Sequence, residues 1–215
     1  MAIRPVFVVS LTQQYFVKEY IDFEYFGGFT KSQKQKCINS LHNAFLKINK
    51  DKQVLEISTK SESYLGVQLS AFNLMIRTKN GKEFSVETAF QASKVFEHGG
   101  PYKDLLYATP KSAKRDPRLR NSGKIISFFF NKQSFPIEPK TFFYNWLYIN
   151  ALQYYGDLAE KLLEYDAFTD IEFNPNRSIN CQAEAAAIYV SLQQQGLLGE
   201  ALQSKERFLE VVYGN

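Results

Sequence analysis

Histidine and cysteine are nearly missing from this chain of 215 residues, with two of each: His42 and His98, Cys37 and Cys181. The cysteines lie far apart and outside any CxxC spacing, which excludes a disulfide framework and a cysteine-based zinc site, and two histidines are too few for a His-based zinc centre. No metal and no cofactor is therefore expected. Long apolar runs are also lacking. Nothing approaches the roughly 18 uninterrupted apolar residues of a membrane helix, and the opening Met-Ala-Ile-Arg-Pro has neither an apolar signal stretch nor a cleavage site. The expectation is a cytoplasmic protein with no membrane partner. Tryptophan occurs once, at Trp146, whereas Phe occurs 19 times and Tyr 13 times, enough aromatic bulk for a large core or for stacking surfaces.

A 45% hydrophobic and 22% charged chain of this length builds one well-buried core. The net charge of +4 is mild but unevenly spread, because Lys111, Lys114, Arg115, Arg118, Arg120 and Lys124 fall in one short stretch broken by Asp116. That stretch suits either a phosphate or nucleic-acid contact or an ordinary solvated surface.

Arg4 to Ser10 and Phe16 to Phe26 are β-branched and aromatic and predict an antiparallel strand pair. Thr30 is the expected N-cap of a helix to about Lys50, with Cys37, Ile38, Leu41, Ala44, Phe45 and Ile48 on its apolar face. Strands are expected at Val54 to Ser58 and Leu69 to Thr78, the second closed by Lys79-Asn80-Gly81-Lys82. Ser85 should cap a helix running to His98, ended by Gly99-Gly100-Pro101. Short helices follow near Tyr102 to Tyr107 and Pro110 to Asp116, then a buried strand at Ile125 to Phe130. Pro139 to Tyr155, Asp157 to Tyr165, Gln182 to Gln195 and Leu198 to Val212 predict helices, with a loop from Asp166 to Asn180. The fold class is α+β: a predominantly helical single domain with a small antiparallel sheet near its N-terminal half. Residues 1–53, a strand pair and a helix, should pack on a core of residues 54–215.

On a helical wheel Glu87, Gln91, Lys94 and His98 fall within about 60° of one another, while Val86, Ala89, Phe90, Ala92, Val95 and Phe96 cover much of the rest. Such a polar line on a mostly apolar helix must meet water, a pocket or a charge partner, because a buried uncompensated Glu or Lys is costly. From the pattern alone it is either the exposed face of a core helix or the wall of a site.

The segments Leu55 to Ile76 and Gly81 to Phe96 resemble the core of the NADAR family, whose members carry an "LSNF"-like turn followed by "GKxxxSxEHxFQAxKF". The matching pieces are Leu69-Ser70-Ala71-Phe72, Ser85-Val86-Glu87, Phe90-Gln91-Ala92 and Lys94. The likeness extends to about Leu192 and leaves out the first 53 residues. Thr88 stands where the family has His. The family's tryptophan before the middle helix has no counterpart, since that region reads Phe135-Pro136-Ile137, and neither has its late "Asp-x-x-Trp-Gly" loop; Asp166 or Asp170 could supply a late acid only if the loop folds back.

The family's members act as N-glycosidases or hydrolases on ribosides, some on ADP-ribose attached to guanine in DNA. The resemblance implies hydrolysis of an N-glycosidic bond in a ribosyl nucleotide or ADP-ribosylated base, with Glu87 and Lys94 as the functional pair and Gln91 between them. The alternative is a catalytically degraded relative that senses ADP-ribose, a nucleotide or a modified base. The implied partner is a nucleotide or ADP-ribose-type ligand, or ADP-ribosylated nucleic acid. Breaking a C1′–N bond places positive charge on the ribose and negative charge on the base, so an anion near C1′ and a donor near the base are required. Glu87 suits the first role; Lys94 suits the second, or attacks the sugar as an amine if burial lowers its pKa. Ser70 and Asn73 either hydrogen-bond a ligand or serve turn chemistry, and Arg115 and Arg118 are the candidate phosphate clamps.

Overall fold

The computed structural model describes residues 1–78 and 80–214. β1 (Ala2–Val9) and β2 (Phe16–Phe23) pair antiparallel from Ala2↔Phe23 to Val9↔Phe16, as the β-branched and aromatic runs predict. α1 (Lys31–Ile48) starts at Thr30, whose side chain accepts from the Gln33 N–H, and buries Cys37, Ile38, Leu41 and Phe45. Ile48, assigned to the same face from the sequence, is the last residue of the helix and is 74% exposed.

β3 (Val54–Glu56) is followed by α2 (Tyr64–Gln68), β4 (Met75–Arg77), β5 (Glu83–Ser85), α3 (Val86–Ala92) and β6 (Lys94–Phe96). The strand expected over Leu69 to Thr78 is confined to β4. Leu69 instead ends α2, and a tight turn follows in which the Asn73 and Leu74 N–H groups both donate to the Ser70 carbonyl. β4 and β5 form the hairpin that Asn80-Gly81 announces, although Lys79 of that turn lies outside the described residues.

A 3-10 turn (Lys103–Tyr107), α4 (Pro110–Arg115) and α5 (Arg118–Asn121) lead to β7 (Ile125–Phe130), which lies between β6 and β8 (Gln133–Phe135). Of β7 only Phe128 is fully buried, because the small sheet has an open face. The chain closes with α6 (Phe142–Leu152), α7 (Gly156–Leu162), β9 (Ala167–Thr169), α8 (Gln182–Gln194), α9 (Leu198–Ala201) and α10 (Lys205–Tyr213). The single helix expected over Leu198 to Val212 is two, because Ser204 starts a new one by accepting from the Arg207 N–H.

The main sheet runs β2-β1-β9-β3. β9, within a segment expected to be loop, joins β1 antiparallel and β3 parallel, so the opening strand pair shares a sheet with residues from the far half of the chain. Strand alternation builds two layers. Val6, Val8, Ile21, Phe23 and Ala167 pack with α1, while Phe7, Leu55 and Phe168 point to the opposite side and join the core of α8 and α6. α8 is buried from Gln182 to Leu192, and Ala183, Ala185, Ala186 and Ala187 let its neighbours approach closely. No helix is long and apolar enough to cross a membrane among the described residues.

Candidate functional site

The helix carrying the polar line is shorter than its periodicity predicts. It ends at Ala92, where the Ser93 hydroxyl donates to the Ala89 carbonyl at 2.6 Å and the chain turns into β6, paired with β7 from Lys94↔Phe128 onward. A serine whose hydroxyl and N–H both donate to the Ala89 carbonyl, followed by a strand partner for the next three residues, outweighs the apolar spacing. His98 consequently leaves the line; it is exposed, and its N–H donates to the Ser122 carbonyl.

The other three residues remain together. Gln91 Nε2 donates to Glu87 Oε1 at 2.8 Å, and Lys94 Nζ donates to Gln91 Oε1 at 2.7 Å. Glu87 and Gln91 are 5% and 6% exposed, so this is an interior relay rather than a solvated helix face. A fourth member comes from α4: Lys114 Nζ lies 3.7 Å from Glu87 Oε1 and 5.5 Å from the centroid of the Phe72 ring. Lys94 Nζ sits 4.8 Å from the centroid of Phe90. Burial lowers the Lys94 ammonium to about 8, with the Glu87 charge opposing that fall and the like charge of Lys114 adding to it.

The relay is held by a stiff support. Ser85 Oγ accepts from the Thr88 N–H at 3.1 Å and Thr88 Oγ1 donates to the Ser85 carbonyl at 2.9 Å, capping α3. The Glu87 and Val86 N–H groups donate to the carbonyls of Ala71 and Leu74, tying the helix start to the turn of Leu69-Ser70-Ala71-Phe72. Gln182 fixes that turn from α8: its Oε1 accepts from the Ala71 N–H at 2.7 Å and its Nε2 donates to the Ile57 carbonyl. Tyr148 adds a hydroxyl to the Leu69 carbonyl at 2.7 Å. Ser70 Oγ and Asn73 Nδ2 both donate to the Val67 carbonyl at 2.8 Å, which is turn chemistry.

Behind the relay stands an aromatic wall. Phe90 stacks on Phe128 at 5.5 Å and meets Tyr144 edge-on at 5.1 Å. Burial, reinforced by the charges of Glu87 and Asp170, pushes the Tyr144 hydroxyl well above its ordinary range. Asp170 thus stands in the same electrostatic neighbourhood as Glu87, and the Lys114 charge acts on it as well. Its Oδ1 accepts from the Glu172 N–H at 2.9 Å. Asp166, the other late acid considered, lies at the opposite end of β9, where Oδ2 accepts from the Gln53 N–H at 2.8 Å.

Of the two arginines, Arg118 is engaged by Asp104 and Asp116, at 2.6 and 2.9 Å, and lies 4.5 Å from the Tyr102 ring centroid. Its fork is closed to a phosphate in this arrangement. Arg115 is exposed and forms no ion pair among the described residues. A cavity of about 380 Å³ adjoins α3; Phe72, Phe84, Ser85, Thr88, Tyr107 and Pro110 are among its lining. Glu87, Gln91 and Lys94 are not part of that lining; Phe72, beneath Lys114, stands between the two features. A larger depression of about 520 Å³ between α1 and the end of β2 contains none of the candidate residues. Among the described residues no group of three or more His, Cys, Asp or Glu side chains is arranged to hold a metal ion.

Sequence reasoning overlooked three contributors. Lys114 was visible only as one member of the basic stretch, Tyr144 sits on an apolar helix face, and Gln182 acts across 111 residues, a separation with no local signal.

A family model described as the DarT1-associated NADAR antitoxin matches residues 2–215. It takes in the opening strand pair and α1, which the motif likeness leaves out. No curated protein matches the chain.

Proposed function

Because the chain belongs to the family of DarT1-associated NADAR antitoxins, we propose that it is an N-glycosidase that removes ADP-ribose from a guanine base of nucleic acid, reversing a modification made by a partner toxin. The observation that carries the proposal is the buried relay of Glu87, Gln91 and Lys94, with Lys114 on the same carboxylate. A carboxylate beside an aromatic wall stabilises the positive charge that develops at C1′, and a lysine below its ordinary pKa either donates to the leaving base or attacks the sugar. In the first case water adds to C1′ as the C1′–N bond breaks, and the base nitrogen keeps the electron pair and takes the donor's proton; in the second the base leaves with the electron pair and the amine's proton as the amine bonds to C1′, and water then releases the sugar from Lys94. Asp170 is the late acid of this scheme, chosen over Asp166 because the Lys114 charge acts on it and its own charge acts on Tyr144. Exposed Arg115 is the phosphate contact, and the cavity beside Phe72 and Ser85 falls within the size of small-ligand sites.

The test is base release from an oligonucleotide carrying ADP-ribosyl guanine. Glu87→Gln and Lys94→Ala should each lower the rate at least about a hundredfold, the scale of losing one charge-stabilising group, with the melting temperature nearly unchanged. An unaltered rate in either variant removes the proposal. Tight binding of ADP-ribose without turnover in the wild-type chain would indicate the sensor instead.

A further inference from the structure

A second buried carboxylate is not used by the scheme above. Glu56, at the end of β3, stands opposite Thr169 in the parallel register with β9 and is 2% exposed. Its Oε2 accepts from Thr169 Oγ1 at 2.6 Å and its Oε1 from the Ile171 N–H at 2.9 Å. Both oxygens therefore grip the residues on either side of Asp170. Thr169 has one hydroxyl proton and gives it to Glu56, so His42, 2.8 Å from Thr169 Oγ1, must donate its Nε2–H to that oxygen. Burial keeps this imidazole neutral, at a pKa of about 4, which fits a single donated proton.

We propose that Glu56 is a positioning residue for Asp170: with Thr169 and His42 it forms a three-residue clamp that grips the residues on either side of Asp170 and aims its carboxyl. This rests on the N-glycosidase reaction proposed above. Burial pushes both carboxyls above the ordinary range, and the Glu56 charge raises Asp170 further. The donors divide them. Glu56 receives hydrogen bonds from Thr169, Ile171 and Ser58 and so holds the negative charge, whereas Asp170 receives one, from the Glu172 N–H. The groups facing Asp170 from the packed elements are Glu56 of β3, Lys114 of α4, Tyr144 and Tyr148 of α6, and Cys181 before α8, with Glu172 on its own segment. The Glu172 N–H and the Lys114 charge favour its ionisation, and burial with the Glu56 and Glu172 charges outweighs them. An aspartic acid kept neutral near pH 7, in the electrostatic neighbourhood of Lys114 and Tyr144, can give its proton to the departing base nitrogen.

The experiment is Glu56→Gln, which keeps an acceptor for Ile171 and removes the charge, read by the carbon-13 titration of the Asp170 carboxyl and by the pH profile of base release. The Asp170 midpoint should fall by about one unit or more, leaving about tenfold less acid form above both midpoints. The alkaline limb of kcat should move with it while KM stays within about twofold. Thr169→Val, which breaks one grip and leaves the Ile171 and Ser58 donors on Glu56, should lower kcat while moving the Asp170 midpoint less than Glu56→Gln does. An Asp170 titration identical in wild type and Glu56→Gln, with both chains folded, overturns the clamp whether or not the protein turns over. A shifted titration in a chain that releases no base overturns the N-glycosidase scheme and leaves the Glu56–Asp170 coupling standing.

Discussion

Lys94 offers the sharpest perturbation, because its two chemical roles have opposite pH dependences and share one midpoint. With the ammonium lowered to about 8 by burial, about a tenth of the side chain is neutral at pH 7, half at the midpoint, and about nine tenths one unit above it. If the neutral amine attacks C1′, single-turnover base release should rise about fivefold from pH 7 to the midpoint and less than twofold over the next unit. If the ammonium donates to the base, the same interval should show a fall of nearly twofold and then of about fivefold. The neighbouring charge supplies a control. Lys114 lowers Lys94 by like-charge repulsion, so Lys114→Gln should move the limb toward higher pH in either case. The assay is a rapid-quench series on ADP-ribosylated oligonucleotide, with borohydride added in parallel samples; attack by the amine leaves a reduced sugar adduct on Lys94. A profile with no Lys94-dependent limb near pH 8, or a limb unmoved by Lys114→Gln, would refute the assignment of that lysine to the chemistry.

Acid stability should be governed in part by His42. Its folded pKa of about 4 lies below the unfolded value of 6.5, so the unfolded chain takes up the proton first, and stability falls as pH drops through that window, by about 3 kcal/mol in full. His42→Gln, which can still donate to Thr169, should flatten this loss in denaturant titrations at pH 4 and 7; an unchanged pH dependence would contradict a buried neutral imidazole. Gln182→Leu should cost about 2–5 kcal/mol, because it strands the buried Ala71 N–H and Ile57 carbonyl, and should loosen the turn that anchors Glu87. A loss under about 1 kcal/mol by chemical denaturation would mean that the turn is held elsewhere. Ser85→Ala removes the α3 cap and should cost about 1 kcal/mol, seen as a drop in melting temperature.

The elements legible in the sequence were those with a local signature. Thr30 with a three- and four-residue apolar spacing gives α1, and Ser85 gives the start of α3. The end of α3 was not legible, because its apolar spacing continues past Ala92 while the strand partner that stops it lies some 34 residues downstream at Phe128. β9 was hidden for a related reason: three residues acquire strand structure only by lying between β1 and β3. In the candidate site, Glu87, Gln91 and Lys94 could be grouped from their spacing alone, yet their burial and the approach of Lys114 could not. The Glu56 grip on Thr169 and Ile171 crosses 113 and 115 residues, so only the parallel pairing of β3 with β9 creates it.

The most direct test is mass analysis of one incubation: the wild-type chain with an oligonucleotide bearing a single ADP-ribosyl guanine. Release of intact ADP-ribose with return of the strand to its unmodified mass, lost in Glu87→Gln, is the predicted result. An unchanged strand, or one that loses only the adenylate half and keeps ribose phosphate on the base, would place the chemistry elsewhere than at the C1′–N bond.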